Sequence, residues 1–123
     1  MLAKLIGLRV TTKYSKDRIV SLSKMTFFKR FEADILSGKK TITIRDESEK
    51  DYSLNSIVQV STYEDDRWFC SLKIQDVEAI TFSQLSDFHA KQENMTLFEL
   101  KNVIRNIYQN VENLYVISYK RVD

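Results

Sequence analysis

The order of helix and strand signals along the chain constrains its fold more than any other feature. Capping residues mark three helix starts: Thr26 ahead of "FFKRFEADIL", and the capping boxes of "TFSQ" (81–84) and "MTLFEL" (95–100). Segments rich in alternating apolar residues predict the strands, at 41–45, 56–63, 67–77 and 113–122. One helix, three strands, two short helices and a final strand indicate an α+β domain around a small, curled, mainly antiparallel sheet.

The end of the first predicted helix is marked by a glycine. Gly38 follows an apolar stripe at helical spacing, and glycine is the usual left-handed residue after a helix. In an uninterrupted strand Lys40 would point away from Thr43, because successive side chains alternate between the two faces. A turn at Gly38 would instead allow the Lys40 side chain to approach Thr43. We therefore expect Lys40 in the turn between helix and strand, outside the hydrogen-bonded ladder.

Length and composition exclude several protein classes. A chain of 123 residues with 43% hydrophobic and 29% charged residues is typical of one globular domain. No apolar run is long enough to cross a bilayer, and charges interrupt "LAKLIGLRV" before a secretion signal can form. The lone Cys70 excludes an internal disulfide and fits a reducing, cytoplasmic location. With Cys70 and His89 as the only soft ligands, we expect no metal and no cofactor.

The net charge of +2 conceals a step along the chain. Residues 1–24 contain six lysines and arginines against one aspartate, so the other 13 basic and 16 acidic residues fall in 25–123. We therefore divide the chain into a basic N-terminal extension, 1–24, and a mildly acidic domain, 25–123. Because domains that bind polyanions usually present a basic face, nucleic-acid binding by this domain is not favoured.

The segment "SGKKTITIRDES" (37–48) carries Lys40, Thr43 and Arg45 close together. The simplest interpretation is structural. Lysines after a helix offset the negative end of its dipole, threonines suit strands, and Arg45 can pair with an acidic residue of segment 46–49.

A catalytic interpretation of the same segment is also open. A threonine hydroxyl is a weak nucleophile until a base takes its proton, and His89 lies far along the chain. A lysine can serve as the base when burial and neighbouring cations lower its pKa. Lys40, with Lys39 beside it and Arg45 nearby, has such neighbours.

Four stretches of the chain resemble a known family. They are "TFFKRFEADILSGKKTITIRDESE" (26–49), "YEDDRWFC" (63–70), "HAKQENMTLFELK" (89–101) and "LYVISYK" (114–120). In this order they resemble the N(4)-acetylcytidine amidohydrolases, small bacterial enzymes of the ASCH group within the PUA-like folds. The resemblance extends from about Thr26 to about Lys120, and it implies a small PUA-like β-barrel with flanking short helices.

The resemblance also implies a reaction and its residues. Lys40 corresponds to the proton acceptor, Thr43 to the proposed nucleophile and Glu93 of "QEN" to the proposed proton donor. The implied substrate is a nucleoside, N(4)-acetylcytidine, which is deacetylated to cytidine and acetate without a cofactor. Arg45 is a candidate for substrate binding, as it or a backbone N–H near Gly38 could stabilise the oxyanion.

Several alternatives stay open at this level. A PUA-like module could recognise a modified or unpaired RNA base without chemistry, since fold does not fix function. Residues 1–24 could be an arm that contacts RNA, or Met25 could be the true start. The sequence does not distinguish nucleophilic attack by Thr43 from direct attack by water. It also leaves open the oligomeric state and the preference among acylated cytosine, cytidine and deoxycytidine.

Overall fold

The computed structural model describes residues 22–123, which form one mixed sheet with short helices. The strands are β1 (Lys24–Phe27), β2 (Ile42–Arg45), β3 (Ile57–Thr62), β4 (Trp68–Thr81) and β5 (Asn113–Arg121). The α-helices are α1 (Glu32–Ser37), α2 (Asp87–Gln92) and α3 (Leu97–Ile107). Short 3-10 helices occupy Lys29–Phe31, Glu47–Glu49 and Phe82–Gln84. Within 22–123, no helix has the length and apolar character needed to span a bilayer.

The sheet has the strand order β1-β3-β4-β5-β2. Only β1 and β3 run parallel, and the other neighbours are antiparallel. The long strand β4 pairs with β3 near its start and with β5 from Leu72 to Thr81. Irregular register at Val60/Ser61 and Ile74/Asp76 increases the local bend and twist of these strands. The predicted α+β class with a mainly antiparallel sheet and short helices is confirmed.

The sheet is open, in contrast to the closed barrel expected from the resemblance. Its edges are β1 and β2, and among residues 22–123 these two strands do not pair with each other. Each has only four residues, too few for a long closing ladder. A side chain joins them instead: Arg45 Nη2 on β2 donates to the Thr26 carbonyl on β1 at 2.9 Å.

The core consists of two apolar clusters that meet at β5. Ile117 and Tyr119 belong to the cluster that also contains the buried residues of β1, β3 and β4. Leu114 and Val116 belong to the other cluster, which α2 and α3 cover. Because alternate residues point to opposite faces, both faces of β5 are buried. β5 is therefore a buried strand that supports its neighbour, the short edge strand β2.

The helix signals were wrong at one site and correct at the others. The predicted capping box at 81–84 caps the 3-10 helix Phe82–Gln84, and the Thr81 N–H donates to Gln84 Oε1 at 2.8 Å. Thr96 and Glu99 form both halves of the predicted capping box, at 3.1 and 2.9 Å. Gly38 ends α1 with a left-handed φ of 81°, as predicted. Thr26, however, is not a helix N-cap, because it lies inside β1 opposite Ser61 of β3. Pairing with β3 outweighs the local capping preference, and the helical segment begins at Lys29 instead.

The start of the domain involves residues ahead of Met25. The Leu22 side chain is buried in the core, and its N–H donates to the Asp51 carbonyl at 2.8 Å. Lys24 is the first residue of β1. Residues 1–21 of the predicted basic extension lie outside the described residues. The division into 1–24 and 25–123 therefore stays a prediction.

Candidate active site

Lys40 lies in the turn between α1 and β2, as the sequence predicted. Its backbone is held from two sides: its N–H donates to Asp34 at 3.0 Å, and the Tyr119 hydroxyl donates to its carbonyl at 3.0 Å. The next residue, Thr41, donates its N–H to Gln92 at the end of α2 at 2.8 Å. These bonds direct the Lys40 side chain inward, where only 3% of the residue is exposed.

The ammonium group of Lys40 forms a buried ion pair with Glu93. Nζ contacts Glu93 Oε1 directly and donates to the Ile42 carbonyl at 2.9 Å. The rings of Phe27 and Phe31 lie 5.6 and 5.1 Å from Nζ, so the charge is surrounded mainly by apolar groups. Burial lowers the pKa of Lys40; the Glu93 carboxylate opposes this shift, and the Arg45 charge adds to it. The structure therefore favours a lysine that loses its proton more readily than a surface lysine.

Glu93 reaches this pair from the end of a helix. It is the C-cap residue of α2, its N–H donates to Ala90 at 3.1 Å, and Asn94 then turns the chain with φ 58°. Glu93 therefore lies in the connection between α2 and α3. Only 4% of the residue is exposed, so it is not a solvated loop carboxylate. The neighbouring Lys91 is exposed.

Thr43 and Arg45 project from the same face of β2, opposite the buried Ile42 and Ile44. Arg45 Nε donates to Thr43 Oγ1 at 2.8 Å. As Thr43 Oγ1 accepts this bond, its own hydrogen stays available for a base. Arg45 is 5% exposed, and its guanidinium lies 5.0 Å from the Phe27 ring centroid.

Two further residues hold Arg45 in place, and the sequence had identified only one of them as a candidate. Glu49 Oε1 accepts from Arg45 Nη1 at 2.7 Å, and Glu49 Oε2 accepts from the Tyr108 hydroxyl at 3.2 Å. Burial raises the pKa of Glu49, while the Arg45 charge opposes the shift. Glu49 was one of the acids of segment 46–49 that could pair with Arg45. Tyr108 gave no local signal, because its contact depends on how the end of α3 packs.

A single cavity brings the four predicted site residues together. Its polar lining includes Lys40, Thr43, Arg45 and Glu93, and its other walls are mostly apolar side chains from β1, the 3-10 helix Lys29–Phe31 and α3. Within the described chain, the polar groups form two pairs, Lys40–Glu93 and Thr43–Arg45, and no hydrogen bond joins Lys40 Nζ to Thr43 Oγ1. A base, a hydroxyl and a carboxyl group in a shielded cavity are the components of acyl transfer.

The soft ligands of the chain lie apart from this cavity. Cys70 is buried, and burial raises the pKa of its thiol to about 11, so it is not poised as a nucleophile. His89 Nδ1 accepts from the Ser86 N–H at 3.1 Å at the start of α2. In the part of the chain that the structure describes, no three His, Cys, Asp or Glu side chains come together as metal ligands.

The buried pair of Arg45 and Glu49 yields a stability prediction. We expect Glu49→Gln to lower the free energy of unfolding by about 3–5 kcal/mol, because the amide leaves a buried guanidinium without its counter-charge. Tyr108→Phe removes only one hydroxyl donor to Glu49 and should cost about 1–2 kcal/mol. Urea denaturation followed by circular dichroism measures both.

An exposed ion pair provides the control for these variants. Arg105 contacts Glu112 at 2.9 Å, with 60% of the Glu112 side chain exposed, so Glu112→Gln should change stability little. Equal losses in Glu49→Gln and Glu112→Gln would show that burial of the Arg45 pair does not matter.

Comparisons with known proteins agree with this fold and with the resemblance seen in the sequence. The chain is 67% identical over 100 residues to the N(4)-acetylcytidine amidohydrolase of Vibrio vulnificus strain YJ016. The aligned residues make up 81% of this chain and 96% of that relative. It is 56% identical over 98 residues to the protein of the same name from Shewanella putrefaciens, covering 80% and 95%. The crystal structure of an ASCH domain from Lactobacillus crispatus JV V101 has the same fold, with a TM-score of 0.69 and 17% identity over 98% of this chain and 93% of that one. The ASCH domain family model matches residues 23–113, and the chain therefore belongs to the ASCH domain family.

Proposed function

We propose that this chain is an amidohydrolase that converts N(4)-acetylcytidine to cytidine and acetate. The observation that carries the proposal is its 67% identity, over nearly the whole length of the relative, to an N(4)-acetylcytidine amidohydrolase. The cavity supports the same chemistry, because it places a buried lysine, a threonine hydroxyl and a buried carboxyl group together. The substrate is a small nucleoside.

The Lys40–Glu93 pair can supply both the base and the acid of the reaction. A pair of this kind that holds one transferable proton exists either as ammonium and carboxylate or as amine and carboxylic acid. In the second form Lys40 can accept a proton and Glu93 can donate one. Burial lowers the pKa of Lys40, which favours the neutral amine that the reaction needs.

The first half of the reaction releases cytidine. The Lys40 amine takes the proton of Thr43, and Thr43 Oγ1 forms a bond to the acetyl carbonyl carbon. As the tetrahedral intermediate collapses, Glu93 gives its proton to the cytosine N4 and the C–N bond breaks. Cytidine leaves with a free amino group. Thr43 then carries an acetyl ester, and Lys40 and Glu93 have become ammonium and carboxylate.

The second half restores the enzyme. The Glu93 carboxylate takes a proton from water, whose oxygen attacks the acetyl ester. Lys40 returns its proton to Thr43 Oγ1 as acetic acid departs, which regenerates the amine and the carboxylic acid, and the acetic acid then loses its proton to water and becomes acetate. Direct attack by water on the substrate amide would use the same base and acid, and Thr43 would then only position the water.

The function is tested by ultraviolet monitoring of N(4)-acetylcytidine with the purified chain, since deacetylation changes the absorption of the base. We expect conversion to cytidine and acetate at an unchanged rate in EDTA. Loss of activity in EDTA and its return with zinc would contradict a metal-free mechanism. Tight binding of N(4)-acetylcytidine without turnover would favour the alternative, a module that recognises a modified base.

Substitutions at Lys40 and Thr43 test the proposed roles. Thr43→Val and Lys40→Met should each lower kcat by about 100-fold or more, the usual loss for a positioned proton-transfer group. Because the two residues act as a unit, the double variant should be little worse than either single variant. Lys40→Arg should fail nearly as badly as Lys40→Met, since arginine keeps the charge and cannot become a neutral base.

Thr41→Val is the matched control for Thr43→Val. Thr41 is also a threonine beside β2, but it does not line the cavity, and valine suits an extended backbone equally well. Its kcat should stay close to that of the wild type. Full activity of Lys40→Arg together with normal turnover by Thr43→Val would reduce both residues to structural roles.

The shared proton also predicts the pH dependence of kcat/KM. The active pair holds one proton, and above the pKa of Lys40 that proton is lost, so Glu93 can no longer act as the acid. Because burial lowers this pKa, the activity should fall at a pH below the ordinary lysine value of 10.5. In Glu93→Gln the acid is absent, and the residual rate should instead rise with pH as Lys40 becomes neutral. A pH profile of both proteins measures this, and a high-pH limb at or above 10.5 in the wild type would contradict it.

A further inference from the structure

The hydroxyl of Thr26 is buried and has no hydrogen-bond partner in the described part of the chain. Among residues 22–123, Thr26 Oγ1 is the one buried side-chain nitrogen or oxygen without a hydrogen-bond partner, and only 3% of the residue is exposed. Desolvating a hydroxyl without pairing it costs free energy, and folded proteins rarely retain such a group. The fold itself does not need this oxygen, because valine has nearly the same shape and suits a strand equally well. A role outside folding would account for it.

Thr26 lines the same cavity as Lys40, Thr43 and Glu93, and it does so from the opposite edge of the sheet. Its carbonyl accepts from Arg45 Nη2 at 2.9 Å, while Arg45 Nε donates to Thr43 Oγ1 at 2.8 Å. One guanidinium therefore holds both the backbone of Thr26 and the hydroxyl of Thr43. This arrangement keeps the unpaired hydroxyl in the neighbourhood of the proposed nucleophile.

Attack on the acyl carbon requires a hydrogen-bond donor near the acyl oxygen. The acyl oxygen becomes negatively charged in the tetrahedral intermediate, and donors already aimed at it supply much of the catalysis in such reactions. The other donors considered so far already have protein partners, and Arg45 uses three of its five N–H groups on them, whereas Thr26 Oγ1 has no partner among the described residues. Arg45 donates to Thr43, Glu49 and the Thr26 carbonyl. Lys40 donates to Glu93 and to the Ile42 carbonyl. The Gly38 N–H donates to the Ile35 carbonyl at 3.2 Å.

We propose that Thr26 Oγ1 donates a hydrogen bond to the acyl oxygen of the substrate and stabilises the negative charge that develops there. The proposal rests on the proposed function, since it concerns the same cavity and the same amide. It adds a catalytic residue on β1 to those on β2 and α2. The substrate thereby contacts both open edges of the sheet, and the adjacent Arg45 charge favours an anion between them.

Thr26→Val tests the proposal because it should separate activity from stability. The valine removes the donor, so kcat should fall by about 100-fold, as for other single oxyanion donors, while KM changes little. The variant should melt at the same temperature as the wild type or higher, because it removes a buried unpaired hydroxyl. Thr26→Ser keeps the donor and should retain most of the wild-type kcat. Turnover of N(4)-acetylcytidine and thermal denaturation are measured on all three proteins.

Thr62→Val is the matched control on the neighbouring strand. Thr62 is fully buried, but its hydroxyl is paired with Asp65 and accepts from the Arg67 N–H at 3.1 Å, and it does not line the cavity. Its loss should lower the melting temperature and leave kcat unchanged. That pattern is the reverse of the one expected for Thr26→Val.

The outcomes separate this proposal from the function on which it rests. If the wild type does not deacetylate N(4)-acetylcytidine, the proposed function fails and the role of Thr26 falls with it. If the wild type is active and Thr26→Val retains kcat, or changes only KM, the function stands and the hydroxyl does not stabilise the oxyanion. A fall in both kcat and melting temperature, as for a packing defect, would also overturn the proposal.

Discussion

The buried guanidinium of Arg45 is the contact on which the arrangement of the site depends. Within residues 22–123 the two edge strands of the sheet do not pair with each other, and a side chain spans the gap between them. The same group orients the hydroxyl of Thr43 through Nε and pairs with Glu49 through Nη1. An arginine can do this because its planar head presents donors in several fixed directions, whereas a lysine is a single point charge. The same guanidinium therefore links the two edge strands and orients the Thr43 hydroxyl.

The second buried pair, Lys40 and Glu93, has a different physical character. Arg45 keeps its proton under all ordinary conditions, so the charge on Glu49 is permanently matched. Lys40 can lose its proton, and burial brings that loss closer to neutral pH. A buried ion pair is a poor way to stabilise a protein, because desolvation offsets most of the attraction. Keeping one pair that cannot transfer its proton beside one that can is better explained by chemistry than by stability.

Local signals predicted the parts of this molecule that local forces determine. Gly38 and the Thr96–Glu99 capping box were identified from sequence because each needs only neighbouring residues. The role of Thr26 was predicted wrongly, since its strand forms by pairing with β3, more than thirty residues away in sequence. The contact of Tyr108 with Glu49 was also beyond local reasoning. The sequence identified Lys40 as a candidate base from its charged neighbours and Glu93 through family resemblance. Their direct contact across 53 residues emerged only from the fold.

The wrong prediction of Thr26 as a helix N-cap and the role proposed for its hydroxyl have the same physical cause. A helix N-cap uses its side-chain oxygen to accept a backbone N–H, so a threonine in that role would have a satisfied hydroxyl. In β1 the backbone bonds go to the neighbouring strand and to Arg45, and the side chain is left with no local partner. The residue that looked like a helix start thus becomes a buried donor at the edge of a cavity. The unpaired hydroxyl belongs to a residue that lines the same cavity as Lys40, Thr43 and Glu93.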